Sequence, residues 1–236
     1  MKTGNLYLIP NVIADNTQSD VIASRVKVEL ANISHFLAED IRTARRYLKS
    51  LNVYETVEPL HFQRFNKDTT RSELKGLLIP IFEGLHLGII SDSGCPGIAD
   101  PGAIAVKFAH ENNISVIPLV GPSSIILALM ASGLNGQRFA FHGYLPINVK
   151  ESSNAIRDLE RESRQKNQTQ LFIETPYRSN TLFQTMVGTL NDTTLLSIAV
   201  DLTSAAEDIK THTIASWKVL KKELPKLPAV FSFLAI

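Results

Sequence analysis

A single cysteine, Cys95, excludes an internal disulfide and fits a reducing compartment. Neither sign of charge is in excess. With 24 Lys and Arg against 23 Asp and Glu the formal net charge is +1, so no global field draws the chain to nucleic acid or an acidic membrane, and a polyanion would need a local patch. Long apolar runs are also missing: Val116 to Leu134, the most apolar stretch, is interrupted by Gly121, Pro122, Ser123 and Ser124 and reads as strand, turn and helix rather than a membrane span. The amino terminus, MKTGNLYLIP, has no apolar core followed by a cleavage site, so no signal peptide is expected and the cytoplasm is the expected location. His35, His61, His86, His110, His142 and His212 lack metal-ligand spacing, and no bound metal is expected. Hydrophobic residues, at 44% of 236, suffice for two modest domains or one large one.

The residues that are present are organised around Leu87 to Gly102, LGIISDSGCPGIADPG. A short apolar strand, Leu87 to Ile90, breaks into a loop carrying Gly94, Gly97 and Gly102 with Pro96 and Pro101, and Ala103 to His110 has helical composition. Strand, glycine-rich loop and helix in that order make a backbone cradle, because glycine permits close approach and free N–H groups near a helix start attract anionic groups. The spacing is not the dinucleotide fingerprint, and the phosphate-binding lysine of a P-loop is missing. A tight connection without a ligand is the competing reading. Cys95 has no histidine close in sequence and suits a small neutral pocket-lining side chain better than a nucleophile.

Leu6 to Ile9, ended by Pro10, suits a buried parallel strand. Asp20 to Ala31 has helical spacing, His35 to Ala38 reads as a strand, and a helix TARRYLKSL follows. Between them, Asp40 is placed to cap the helix, while Glu39, Asp40 and Arg42 also stand at a strand's carboxyl end, where open α/β sheets bind ligands. Leu60 to Phe65 is a further strand, Ser72 to Glu83 a helix that Pro80 must end or kink, and Ile114 to Leu119 a strand before an apolar helix ending near Gly133. About five such alternations argue for a mostly parallel sheet covered on both faces. In the second part Phe139 to His142, Leu171 to Glu174, Leu195 to Val200 and Val230 to Leu234 are candidate strands, with a solvated helix in Asn148 to Gln168. The expected fold class is α/β with two α/β domains, 1–119 and 120–236.

The order of motifs, a strand ending in Pro10, then AEDIR, SDSGCPGIADPG, VGPSS, FHGYLP and ETPYR, resembles the tetrapyrrole methylase superfamily of S-adenosylmethionine-dependent methyltransferases. Within it the match is to the branch that methylates a cytidine ribose 2′-hydroxyl in small-subunit ribosomal RNA. The resemblance implies two α/β domains with the cofactor in a cleft between them, usually in a homodimer. It implies that Asp92, Ser93, Gly94 and Cys95 hold the methionine part of S-adenosyl-L-methionine beside Ser123 and Ser124, with Pro10 in the cleft wall. Phe172, Ala199, Pro228 and Ala229 would border the adenosine.

A ribose hydroxyl is a poor nucleophile, and Glu39, Asp40 and Asp100 are the candidates to take or orient its proton; no spacing chooses among them. Arg42, Arg45, Arg46 and Lys49 have the spacing to present a basic helix face to phosphates, extended by Arg64, Lys67 and Arg71 if the fold brings them to one rim. Tyr177 is a candidate to stack on a base and Arg178 to grip a phosphate, although both also suit packing or surface roles. The chain departs from the branch at Asn11 to Asn16, where a Gly-Asn-Leu step is usual, at Cys95 and Gly97 in the central loop, and in lacking an extra carboxyl-terminal segment. These departures leave cofactor binding intact and put the acceptor in question. Ribosomal RNA or the small subunit is the expected partner. The alternatives are a tetrapyrrole or other small-molecule acceptor, and a cofactor-binding homologue with little turnover.

Overall fold

The computed structural model describes residues 3–236. It divides into two compact units, Met1–Ser123 and Ser124–Ile236, a boundary slightly beyond position 119.

The first unit runs β1 (Leu6–Ile9), α1 (Gln18–Val21), α2 (Ser24–Leu30), β2 (His35–Ala38), α3 (Ile41–Ser50), β3 (His61–Arg64), α4 (Arg71–Leu77), α5 (Ile79–Phe82), β4 (Leu87–Ile90), α6 (Gly102–Glu111) and β5 (Val116–Pro118). Its strands form a parallel sheet in the order β3-β2-β4-β1-β5. The strand period of two divides their apolar side chains between two cores. Tyr7, Ile9, Phe36, Ala38 and Ile90 meet Val26, Leu30, Tyr47 and Leu48 of α2 and α3 on one face. Leu6, Leu37, Leu87 and Ile89 meet Leu74, Ile81, Ala105 and Phe108 of α4, α5 and α6 on the other. Each buried Val, Leu, Ile or Phe among them contributes about 1.5–3 kcal/mol. The chain leaving β1 and β2 therefore crosses one face and that leaving β4 crosses the opposite one. The loops part at the carboxyl end of β4, a switch point of the kind where open α/β sheets bind ligands.

Local chemistry sets the helix limits. Asp40 accepts from the N–H groups of Arg42 (2.7 Å) and Thr43 (3.3 Å) and so starts α3. The single helix expected over 72–83 is two, because Pro80 lacks an amide donor and the chain re-initiates at Leu78 with the proline in the first turn of α5. The helix expected over 20–31 is likewise broken, with Ile22 and Ala23 in extended conformation between α1 and α2.

The second unit runs α7 (Ser124–Ser132), β6 (Phe139–Phe141), α8 (Val149–Lys166), β7 (Thr169–Glu174), α9 (Ser179–Thr189), β8 (Leu195–Val200), β9 (Asp208–Thr213), α10 (Ile214–Leu220) and β10 (Ala229–Leu234). Its sheet has the order β6-β7-β10-β8-β9, parallel only between β6 and β7. Ile125 and Leu129 of α7 pack on Leu171 and Ile173. The opposite face buries Phe172, Ile198, Phe231 and Phe233 against Ile156, Phe183 and Trp217. The polar strand β9, DIKTHT, is not anticipated by apolar alternation; it is an edge strand paired with β8 alone. Among the described residues no helix is long and apolar enough to cross a membrane.

Candidate active site

At the carboxyl edge of the first sheet the loop after β4 is clamped from both sides. The Asn11 side-chain amide, buried just beyond β1, donates to the carbonyls of Ser91 (3.0 Å) and Asp92 (3.2 Å), and its backbone N–H donates to the Gly94 carbonyl (2.8 Å). Ser91 Oγ donates to the Gly94 (3.0 Å) and Ser93 (3.2 Å) carbonyls. Gly94 and Gly97 adopt φ of +70° and +82°, the left-handed region that favours glycine. From the β2 side, the Asp40 N–H donates to Asp92 Oδ1 (3.3 Å), so Asp92 bridges two loops.

A third connection joins this edge. The Cys95 thiol donates to the Pro122 carbonyl (3.3 Å), tying the β4 loop to the turn after β5 that ends in Ser123. Burial pushes this thiol's pKa up, away from nucleophilic character. Gly121 lies against Pro10, where an added Cβ would meet the proline Cβ at 2.0 Å. Pro10 in turn accepts from the Tyr47 hydroxyl (2.6 Å) through its carbonyl. Ser124 opens α7 in the second unit.

The three candidate bases are not equivalent. Asp40 is spent on the α3 cap, and those backbone bonds hold its carboxyl below the usual range. Asp100 Oδ1 accepts from the Gly102 N–H (3.2 Å), closing the loop on itself; desolvation raises its pKa despite that bond. Glu39 has no hydrogen-bonded partner for its carboxylate among the described residues. Its pKa is raised, first by desolvation and then by the charges of Asp92 and Asp100, while Lys67 and Arg64 oppose the shift.

Glu39, Asp40, Arg42, Arg64 and Asp92 line an open pocket of about 520 Å³. A narrower one, about 210 Å³, lies on the other side of Asp92 between the β1–α1 loop and α3, with Arg46 in its wall. The basic helix face read from the sequence is thus divided. Arg42 and Arg46, one turn apart, belong to these pockets, whereas the Arg45 guanidinium stacks 4.9 Å from the Phe62 ring centroid.

In the second unit the antiparallel pairing brings the ends of β7 and β8 and the start of β10 to one sheet edge, where Ala229 faces Glu174 and Val200, and Pro228 accepts from the Asp201 N–H (3.0 Å). Phe172 and Ala199 lie just inside that edge and are buried, the Phe172 ring stacked between His142 and Phe233. The whole residue is 0% exposed, so neither the ring nor the backbone of Phe172 faces open space within this unit. Tyr177 is 84% exposed. Arg178 instead pairs with the buried Glu174 carboxylate at 2.7 Å and donates to the Leu145 carbonyl (3.3 Å), which ties the ETPYR turn to the FHGYLP turn and draws the guanidinium away from a free phosphate grip.

Comparison with known proteins separates fold from family. No family model matches the chain. The chain is 32% identical over 219 residues to ribosomal RNA small subunit methyltransferase I of Buchnera aphidicola subsp. Schizaphis graminum, covering 92% of this chain and 73% of that one. The Escherichia coli O157:H7 protein of the same name is 30% identical over 87% of this chain and 68% of its own length. The chain belongs to the ribosomal RNA small subunit methyltransferase I family. Its fold is also that of the methyltransferase CobJ, with a TM-score of 0.62 at 15% identity over 99% of this chain and 95% of that one. Uroporphyrin-III-C-methyltransferase from Thermus thermophilus gives 0.57 at 15% identity, covering 99% and 93%. The α/β, tetrapyrrole methylase-like architecture expected from the motifs is therefore the observed one.

In this family member, Asn11 and Tyr47 shape the site without having been singled out for it in the sequence. Asn11 follows a strand-ending proline, a weak signal, and its partners lie about 80 positions away. The apolar neighbours of Tyr47 mark it as core, and it is buried, but its hydroxyl reaches the backbone of the loop wall.

Proposed function

We propose that the protein is an S-adenosylmethionine-dependent methyltransferase acting on a ribose 2′-hydroxyl of small-subunit ribosomal RNA. The observation that carries the site is the convergence of the β1, β2 and β4 loops on Asp92. Family membership supports the acceptor class, since the relatives are named for small-subunit ribosomal RNA. The first-sheet loops also fit a cationic donor. Glu39 and Asp100 have raised pKa values, each partly through a carboxylate neighbour, and a positively charged ligand would relieve that repulsion.

On this reading Asp92, Ser93, Gly94 and Cys95 hold the methionine part of the donor next to Ser123 and Ser124, and Pro10 walls the site. Phe172, Ala199, Pro228 and Ala229 border the adenosine. The bound donor supplies an electrophilic methyl group on a sulfonium, so the protein's main contribution is alignment. Glu39 is the base: it is uncommitted, desolvated and poised to take the hydroxyl proton as the oxygen attacks. Asp40 and Asp100 hold the loops that present it. Arg42 and Arg64 flank Glu39 and bind phosphates, with Tyr177 available to stack on a base and Arg45 a peripheral cation. The same reading places the enzyme in the cytoplasm as a homodimer without a metal.

Calorimetry with S-adenosylhomocysteine, run beside methyl transfer to ribosomal RNA, separates these roles. Asp92→Ala should weaken binding at least tenfold, whereas Glu39→Gln should bind normally and lose transfer, chiefly in kcat. Unchanged affinity in the first variant, or unchanged kcat in the second, would remove that residue from its assigned role.

A further inference from the structure

Resting on the RNA reading above, we propose that the pocket between the β1–α1 loop and α3 receives one base of the acceptor RNA, swung out of its strand. At about 210 Å³ it holds the volume of about seven liquid waters, room for a single base rather than a stacked pair. Val12, Ile13 and Tyr47 supply apolar wall suited to a base face, while Asp15, Asn16 and Gln18 supply donors and acceptors suited to its edge. The wall is braced. Tyr47 is buried, its hydroxyl bonds the Pro10 carbonyl at 2.6 Å, and desolvation keeps the phenol neutral. Asn16, at φ 63°, turns the loop in a left-handed conformation that asparagine tolerates better than most residues.

The position of the pocket relative to Glu39 strengthens the assignment. Asp92 lines both this pocket and the neighbouring one that contains Glu39. A base seated in the first would therefore bring its own ribose over Asp92 and towards Glu39. Arg46 belongs to the base pocket and Arg42 to the ribose side, one helical turn apart, a spacing that can hold phosphates beside one extruded nucleotide. An aspartate in the wall accepts from an exocyclic amine, so the pocket favours a base carrying one. The β1–α1 loop, where this chain departs from the usual pattern of its branch, thereby becomes a specificity element for the acceptor.

The test fills the pocket without touching the β4 loop. Ser50, at the end of α3, lines it, and Ser50→Phe would project a ring into it. Transfer of tritiated methyl groups would be measured with small ribosomal subunits from a strain deleted for the methyltransferase, beside S-adenosylhomocysteine affinity and thermal unfolding. The expected result is at least a 100-fold loss of transfer with cofactor affinity within twofold of wild type. Asn16→Gly with Gln18→Ala, which keeps the backbone but removes edge contacts, should lower kcat/KM about tenfold and decides the matter if the phenylalanine variant does not fold. Wild-type transfer by the folded filled variant, or by the double variant where the first is unfolded, would overturn the base pocket and leave the RNA methyltransferase reading standing. Absence of transfer by the wild-type protein would overturn that reading, and the pocket assignment with it.

Discussion

Gly121→Ala is the sharpest structural perturbation of the candidate site. The added Cβ would stand 2.0 Å from Pro10 Cβ and 2.5 Å from its Cγ, whereas ordinary carbon contacts begin near 3.4 Å. Neither neighbour can rotate away: Pro10 has a closed ring and its carbonyl is held by Tyr47. The end of β1 must separate from the turn after β5 by roughly 1.5 Å, and overpacking of this kind costs about 1–3 kcal/mol. At about 2–4 °C per kcal/mol, the melting temperature should fall by about 2–12 °C. Because Asn11 is the next residue and clamps Ser91 and Asp92, S-adenosylhomocysteine affinity should fall at least tenfold as well. Gly76→Ala in α4 is the matched control, since nothing lies within 4 Å of its added Cβ, and it should stabilise by about 0.5–1 kcal/mol with binding unchanged. Scanning calorimetry and ligand titration on both variants provide the assay. Equal melting and equal affinity in Gly121→Ala would refute the close packing of these two loops as the frame of the site.

Three further outcomes follow from the same geometry. The raised pKa of Glu39 means that the fold favours its protonated form: its contribution is complete below the ordinary carboxylate pKa and is lost as pH rises through the raised value, so Glu39→Gln should melt higher than wild type at pH 8 and equally at pH 3, by fluorescence melts at the two pH values. Glu160 is buried and accepts from the Asn191 backbone (2.8 Å) and side chain (2.5 Å) and from the Thr194 hydroxyl; Glu160→Ala should cost about 3 kcal/mol in urea unfolding through the stranded donors. Replacing Arg42 and Arg46 together by Ala should weaken RNA binding and flatten the plot of log affinity against log salt by about 1.4, if each contributes about 0.7 on a single strand.

Much of this site was legible from the chain because its parts are local. A strand stopped by Pro10, a carboxylate before the α3 helix and a glycine-rich loop after LGII each carry their geometry in adjacent residues, and Asp40 does cap α3 as its position requires. Glu39 and Asp100 could not be ranked from spacing, since desolvation raises both and what distinguishes them is the Gly102 bond that commits Asp100 and has no counterpart at Glu39. Arg178 followed the same rule in reverse. Its motif suggests phosphate, but its partner, Glu174, became visible only when the β7 turn placed the two charges 2.7 Å apart. β9 escaped because an edge strand with a polar sequence has no alternation to detect, its place being set by pairing with β8. The two-way division of Arg42 and Arg46 from Arg45 likewise depends on Phe62, a residue of a different strand.

Incubation with tritiated S-adenosylmethionine and small ribosomal subunits from a deletion strain, followed by alkaline digestion of the RNA, tests methyl transfer to a ribose most directly. The account predicts label in a dinucleotide that resists alkali, because a methylated 2′-oxygen can no longer attack its own phosphate, and no label with Glu39→Gln. A protein that binds the donor yet leaves the RNA unlabelled, or labels a mononucleotide released by alkali, would contradict it.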